Sequence, residues 1–257
     1  MRKHHSRAAA TALAVVVSLA AAGGCGDDAS TGPDTTATGA EAATAVPDAE
    51  QVAAMLLTAE DLGAGWTVNV GPADGPDLSN GVIPSEAGDL VPRPELCEAA
   101  DPAPAAAVEA IDWLAFRQLD LAVADPIAPP EDRTGHLIFA QELIAAGEPA
   151  ATTQSFVALR DGLAACFGEI PAGEEGPGTA TTLDVGTSGE DTAGVLTTIE
   201  EAGGWAEWRL HTVVVRQGPV LVVLTVVEIR AGTDPQLDTE DIVGITRAAS
   251  ARLPEGP

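Results

Sequence analysis

Hydrophobic and polar positions alternate most regularly between Trp205 and Arg230. The residues there are mostly β-branched or aromatic, which suits a pleated, half-buried surface. Gln217-Gly218-Pro219 interrupts the run, and Gly218 is free to take positive φ, so the stretch predicts a long β-hairpin. Successive side chains point to opposite faces of a strand, so the two faces are read separately. One holds Trp208, Leu210, Thr212 and Val214, then Leu221, Val223, Thr225, Val227 and Ile229. That face is expected to be core. The other is polar at the open end (Trp205, Glu207, Arg209, His211, Glu228 and Arg230) and apolar near the turn. Near the turn both faces want cover, which predicts a central place in a sheet.

The rest of the chain is weaker in pattern. Val52, Met55 and Leu56 have helical spacing after Asp48, and Thr58-Ala59-Glu60-Asp61 reads as a capping box on a second short turn. Trp66 to Val70 reads as a strand. Residues 71–94 lack periodicity, and since loops of that length are uncommon inside compact domains they read as either a functional loop or a disordered insert, with the absence of Trp, Tyr and Phe favouring the insert. Glu95 to Ala110 is helical in pattern but interrupted by Pro102 and Pro104. Strands are expected over 111–121 and 135–144. Pro149 to Phe167 is the best helix, with Phe156, Leu159, Leu163, Cys166 and Phe167 on one stripe and Gly168 placed to end it. Further strands follow over 181–185 and 195–199. Asp238 caps a last helix running to Leu253, with Ile242, Ile245, Ala249 and Leu253 turned to the sheet. Strands in neighbouring runs with few helices predict an α+β fold. Its sheet is largely antiparallel, with the 205–230 hairpin at its centre and helices packed on one face or at its ends.

The N-terminus changes the picture from fold to location. Arg2, Lys3 and Arg7 precede an uncharged apolar stretch, Ala8 to Ala22, too short to span a bilayer. Gly23-Gly24-Cys25 follows, so residues 1–25 read as a secretory leader. This end resembles a bacterial lipobox, in which the cysteine is acylated and becomes the new N-terminus. It departs from the family at Ala22, where leucine is preferred. The competing reading is ordinary cleavage after Ala20-Ala21-Ala22. Of three cysteines in all, lipidation of Cys25 leaves an even pair, Cys97 and Cys166, expected to form one disulfide outside the cell. Residues 26–47 are Asp, Thr, Ala, Gly and Pro with little that is large and apolar, and read as a disordered tether. Its r.m.s. span is roughly 25 Å for about 22 flexible residues. Residues 48–257 are then a single extracellular domain on the outer face of the cell membrane, and the lipid is its only expected membrane attachment.

Net charge is −27 over 257 residues, and the leader holds three of the 12 basic residues and none of the 39 acidic ones. Such a surface repels nucleic acid and anionic headgroups, so neither is an expected direct partner. The acidity fits either adaptation to a salt- or cation-rich wall or the drift of a composition without lysine after the leader. The mature chain has two histidines, His136 and His211. No zinc-protease, nucleophile-elbow, phosphate-loop or calcium-loop spacing is present, so no catalytic residue, metal or cofactor is expected. Acid pairs recur, Glu131-Asp132 and Glu174-Glu175 among them, and read as a solvated face. The least ordinary place is the open end of the hairpin. There Trp205, Glu207, Arg209 and His211 share a face and read either as a ligand-facing patch or as cross-strand ion pairs at an exposed sheet end.

The run Leu56-Leu57-Thr58-Ala59-Glu60-Asp61-Leu62-Gly63-Ala64-Gly65-Trp66 resembles actinobacterial surface lipoproteins. Paired strands, a helix ending in Ala-Ala-Cys166, a hydrophobic hairpin and a last helix follow in the same order. Together they resemble the extracellular sensor domain of PknH-type serine/threonine kinases and its stand-alone lipoprotein relatives, over about residues 48 to 253. That family commonly holds two disulfides, where this chain has cysteines for one. A second resemblance is to lipoproteins with a PsbP-like or Mog1-like sandwich. The first resemblance implies a non-catalytic sensor-like or ligand-binding domain for a small-molecule or cell-envelope ligand, and names no protein partner. A structural or adhesion protein of the envelope is the alternative, followed by a hydrolase working through a carboxylate pair.

Overall fold

Every pairing in the sheet follows from hydrogen bonding between antiparallel neighbours in one eight-stranded sheet. The computed structural model describes residues 45–69, 81–83, 110–121, 136–170, 176–201, 204, 206–230 and 237–254, with the side chain of His136 left aside. The described residues all belong to one compact unit, 42–257. In chain order the helices are α1 (Ala49–Ala53), α2 (Ala59–Leu62), α3 (Pro149–Ala164) and α4 (Thr239–Ser250). The strands are β1 (Trp66–Val68), β2 (Trp113–Leu121), β3 (His136–Ala146), β4 (Gly168–Ile170), β5 (Gly178–Thr182), β6 (Asp191–Glu200), β7 (Glu207–Gln217) and β8 (Val220–Arg230). Spatial order is β1-β2-β3-β8-β7-β6-β5-β4. The fold is α+β, and all seven strand pairs among the described residues are antiparallel.

The hairpin is where the alternation places it, at the centre. β7 and β8 pair from Gln217↔Val220 to Glu207↔Arg230, and β8 pairs again with β3 from Ala146↔Val220 to His136↔Arg230. Only Gly218 and Pro219 lie between the strands, and Gly218 sits at φ +54°, which a tight hairpin turn demands. Val220 to Leu224 are all buried, so this part of β8 is covered on both faces.

Two cores result, one per face. On the first, Ile138, Ala140, Val213, Val215, Val222 and Leu224 meet Val52, Leu56 and Leu57 from the α1 region and Ile242, Ile245 and Ala249 from α4. On the second, Leu143, Val214, Leu221 and Val223 meet Phe156, Leu159 and Leu163 of α3. A register shift between Trp113 and Ala115 lets Trp113 and Phe116 both join the second core. Helices therefore lie on both faces rather than on one, because the central strands are apolar on both.

The faces of the hairpin are covered in a way the residue types do not suggest. At the open end the face expected to be core is the more exposed one, with Trp208 at 37% and Leu210, Thr212 and Ile229 half-buried. The polar face is packed away, with His211 and Glu228 at 1% and 0% exposure. Phe167 also leaves its predicted stripe. The last turn of α3 ends at Ala164, and Phe167 is left exposed while Cys166 is buried. Strand β4, which begins at Gly168, has no apolar alternation to announce it. The expected insert at 71–94, apart from residues 81–83, and the interrupted helix at 95–109 lie outside the described residues.

Two glycines should respond in opposite directions. A Cβ on Gly194 would stand 2.6 Å from the carbonyl oxygen of Leu183, whose own N–H donates to Gly194 O at 2.9 Å. Gly194→Ala should therefore destabilise by roughly 1–3 kcal/mol. Gly244, within α4, has open space, and Gly244→Ala should stabilise by about 0.5–1 kcal/mol. Denaturant midpoints of the two variants against the parent check both signs.

Candidate functional site

Three of the four residues singled out at the open end of the hairpin are described, and they are packed by neighbours. Glu207 pairs with Arg230 directly across the strands, Arg230 Nε donating to its Oε1 at 3.0 Å. Arg209 lies 3.6 Å from Glu228, its cross-strand partner, and donates to the carbonyl of Leu237 at 3.4 Å, just before α4. His211 lies two positions further in, against Val226, with no hydrogen-bond partner for either ring nitrogen. Burial, and then the positive charge of Arg209, push its pKa down to about 4. Alternation brings Glu207, Arg209 and His211 onto one face, and the segment entering α4 lies beside it. Trp205, Cys25 and Cys97 lie outside the described residues.

A second buried titratable group sits where sequence patterning showed none. Glu142 belongs to the apolar face of β3 between Ala140 and Ile144, and is 2% exposed. Its Oε2 accepts from the backbone N–H of Leu57 at 2.6 Å. Arg117, its partner across β2, donates to the carbonyl of the same Leu57 at 3.0 Å. One residue's two peptide groups are thus held by a carboxyl and a guanidinium from the sheet. Around it the short helices are closed locally, with capping boxes at Asp48–Gln51 and Thr58–Asp61. Arg252, after α4, donates to the carbonyls of Ala54 and Met55 and pairs with Asp61 at 3.0 Å. This is what the Leu56–Trp66 run does in the fold: it docks the N-terminal helices. Burial pushes the Glu142 carboxyl up to about 7, against the opposing pull of the Leu57 N–H and the nearby Arg117.

Concave surface lies elsewhere, on either side of the loop between β5 and β6. Leu183 and Val185 anchor that loop in the first core, and Asp184 Oδ1 accepts from Gly186 N–H at 3.0 Å. Ser188 exchanges hydrogen bonds with Thr192, its N–H donating at 3.0 Å. Towards α4 the loop borders a groove of about 620 Å³ that holds Asp184, Thr187, Ser188, Arg247 and Ser250 over Val185 and Val243. Towards α3 it borders another of about 540 Å³, more apolar, with Leu163, Phe167, Leu183 and Val195 below Arg160. A third, of about 640 Å³, lies along β4 and β5 and carries Glu169 and Glu200. The strand expected over 181–185 is cut short, since β5 ends at Thr182 and the loop follows from Leu183, and nothing in the sequence paired that loop with α4.

No family model matches the chain, and no curated protein does. Among solved structures it is weakly similar to the extracellular domain of PknH from Mycobacterium tuberculosis, at 13% identity and a TM-score of 0.37. That match covers 79% of this chain and 96% of that one. An uncharacterized protein from Mycobacterium smegmatis is similar at 15% identity and a TM-score of 0.35, covering 80% of this chain and 96% of that one. The extracellular domain of PknH, the type the sequence resembles, is thus one of the solved structures to which the chain is weakly similar.

The two buried titratable groups make opposite contributions with pH. Glu142 has a folded pKa near 7 against an ordinary 4.5, so the fold holds its proton more firmly than the unfolded chain does. Its contribution is complete below pH 4.5 and is lost as pH rises through 7. His211, near 4 in the fold against an ordinary 6.5, contributes fully above pH 6.5 and loses that contribution as pH falls through 4. Each effect is on the order of 3 kcal/mol at ~1.4 kcal/mol per pH unit. Glu142→Gln should keep the Leu57 hydrogen bond and gain stability on the parent between pH 5 and pH 8. His211→Gln should gain on it between pH 7 and pH 4. Urea midpoints across that range read both, and a Glu142→Gln profile parallel to the parent's would mean that this carboxyl titrates in the fold just as it does in the unfolded chain.

Proposed function

We propose that the chain is a lipoprotein of the outer face of the cell membrane, anchored by acylation of Cys25. In this reading residues 26–47 are a tether and residues 48–257 one extracytoplasmic domain, sensor-like in that it binds a ligand without transforming it. The groove between the 183–188 loop and α4 carries the binding half of the proposal. It is an open groove in which Asp184, Thr187, Ser188, Arg247 and Ser250 stand beside Val185 and Val243, a mix of polar and apolar groups suited to a polar small molecule. The leader carries the location. Among the described residues no helix is long and apolar enough to cross a membrane.

With Cys25 carrying the lipid, Cys97 and Cys166 are left as an even pair in an oxidising compartment, which supports a disulfide between them. Such a bond would close a loop of roughly 70 residues and contribute about 4 kcal/mol in the chain-entropy picture. It would fasten the segment before β2 to the helix of the second core.

Three measurements test the proposal. Cys25→Ala should move the protein from the membrane fraction to the medium, and retention in the membrane counts against the anchor. Intact mass after alkylating the unfolded, unreduced protein should find neither Cys97 nor Cys166 labelled; two labelled thiols end the pairing. A thermal-shift screen of soluble envelope constituents should raise Tm for at least one, since a ligand of the folded state alone stabilises by mass action. A groove-filling substitution, Thr187→Trp, should abolish that shift, and a shift that survives it places binding elsewhere.

A further inference from the structure

The ligand class can be argued from how the chain spends its cations. The described residues contain seven arginines and no lysine. Six are engaged: Arg117 with Leu57, Arg160 with Asp161, Arg209 with Glu228, Arg216 with Glu190 and Asp191, Arg230 with Glu207, and Arg252 with Asp61. Arg247 is the one described arginine whose side chain has neither an ion pair nor a hydrogen bond, while its carbonyl accepts from Ala251 N–H, and it stands in the groove beside the 183–188 loop. Its place in the last turn of α4 suits the helix dipole, but that leaves its five N–H donors unused. In a chain of net charge −27, an uncommitted guanidinium is a local exception that an anionic group would find.

The surroundings narrow the anion. Asp184 spends one carboxylate oxygen on Gly186 and keeps the other as an acceptor. Ser250 donates its hydroxyl to Thr246 O at 2.9 Å, so towards the groove it can only accept. Thr187 and Ser188 add hydroxyl oxygens. A bare inorganic anion would have Arg247 but would also meet the negative charge of Asp184. A molecule with hydroxyls beside its acid would give donors to Asp184 and Ser250 while its acid met Arg247 in the two-pronged fashion guanidinium favours. Val185, Val243 and Ala251 supply an apolar wall for a ring's C–H face.

We infer that this groove is a binding site for an acidic saccharide, with Arg247 taking the carboxylate and Asp184 the ring hydroxyls. The inference rests on the proposed ligand-binding reading of the same groove and adds the ligand's chemistry to it. Size agrees, since a volume of about 620 Å³ admits one or two sugar rings.

Ligand-observed NMR titration of the detergent-solubilised full chain tests it, with D-glucuronate and D-galacturonate as probes and D-glucose and sulfate as comparators. At least one hexuronate should bind at least tenfold more tightly than glucose and than sulfate. Arg247→Gln should weaken that binding at least tenfold and Asp184→Asn at least threefold, while Arg160→Gln, outside this groove, should leave it unchanged. All three changes are at exposed positions, and a circular-dichroism melt confirms that each variant is folded. Hexuronate binding indifferent to Arg247→Gln, or no hexuronate binding, overturns the inference. Sulfate bound as tightly as a hexuronate reduces the groove to an inorganic-anion site and also overturns it. Glucose bound as tightly as a hexuronate, with Arg247→Gln silent and Asp184→Asn weakening both, removes the acid but leaves the ligand-binding reading standing. That reading falls separately, if nothing in the thermal-shift screen binds.

Discussion

The central constraint is that β8 has no free side. Both its edges are hydrogen-bonded over eleven residues, to β7 and to β3, and its turn-proximal half is buried on both faces. A strand in that position must be apolar at consecutive residues and must be roofed above and below. α3 supplies one roof and α4, with α1, the other. The chain order is arranged around that need. β4 to β8 form a meander that returns to dock on β3, and the helix between β3 and β4 drops onto the second face as it passes. Hydrophobic burial therefore explains the layers, and the antiparallel ladder explains the order within the sheet.

Where the constraint relaxes, at the open end of the hairpin, polar groups enter, and they are handled in pairs. Glu207 with Arg230 and Arg209 with Glu228 are cross-strand neighbours, so the register that aligns the apolar rows also aligns opposite charges. His211 is the exception, buried without a hydrogen-bond partner and held neutral by burial and by Arg209. Glu142 is the counterpart on β3: its cost of burial is offset by the Leu57 N–H, and an apolar residue there would leave that peptide group without its acceptor.

Much of this could be read from the residues, for identifiable reasons. The hairpin, α3, α4 with its Asp238 cap and the Thr58–Asp61 capping box declare themselves because their signals are local: alternation, helical spacing, and an acid or hydroxyl three residues before its partner. β4 (Gly-Glu-Ile) and β5 (Gly-Thr-Ala-Thr-Thr) are short and poor in Val and Ile, so β4 was not expected and β5 only where it overlaps the strand expected over 181–185. The reversed covering of the hairpin's open end was invisible because residue type speaks for one strand, whereas burial there depends on what the chain near Leu237 lays over it. The groove was hidden for the same reason. Arg247 reads as a helix-end charge, and only the fold sets it against Asp184 and Ser188.

The clamp on Leu57 bears on mechanics. Chain N-terminal to Asp48 leads into α1, which packs over β2 and β3 rather than extending either edge of the sheet. A pull from that direction is therefore taken first by the two peptide groups of Leu57, held by Glu142 and Arg117, and by the carbonyls of Ala54 and Met55, held by Arg252. Strand β1, the outermost on that side, comes later in the chain and would not be the first to peel. Load is handed to the middle of the sheet through β3 and to the far end of the chain through Arg252, so the domain resists from its centre and its last helix together.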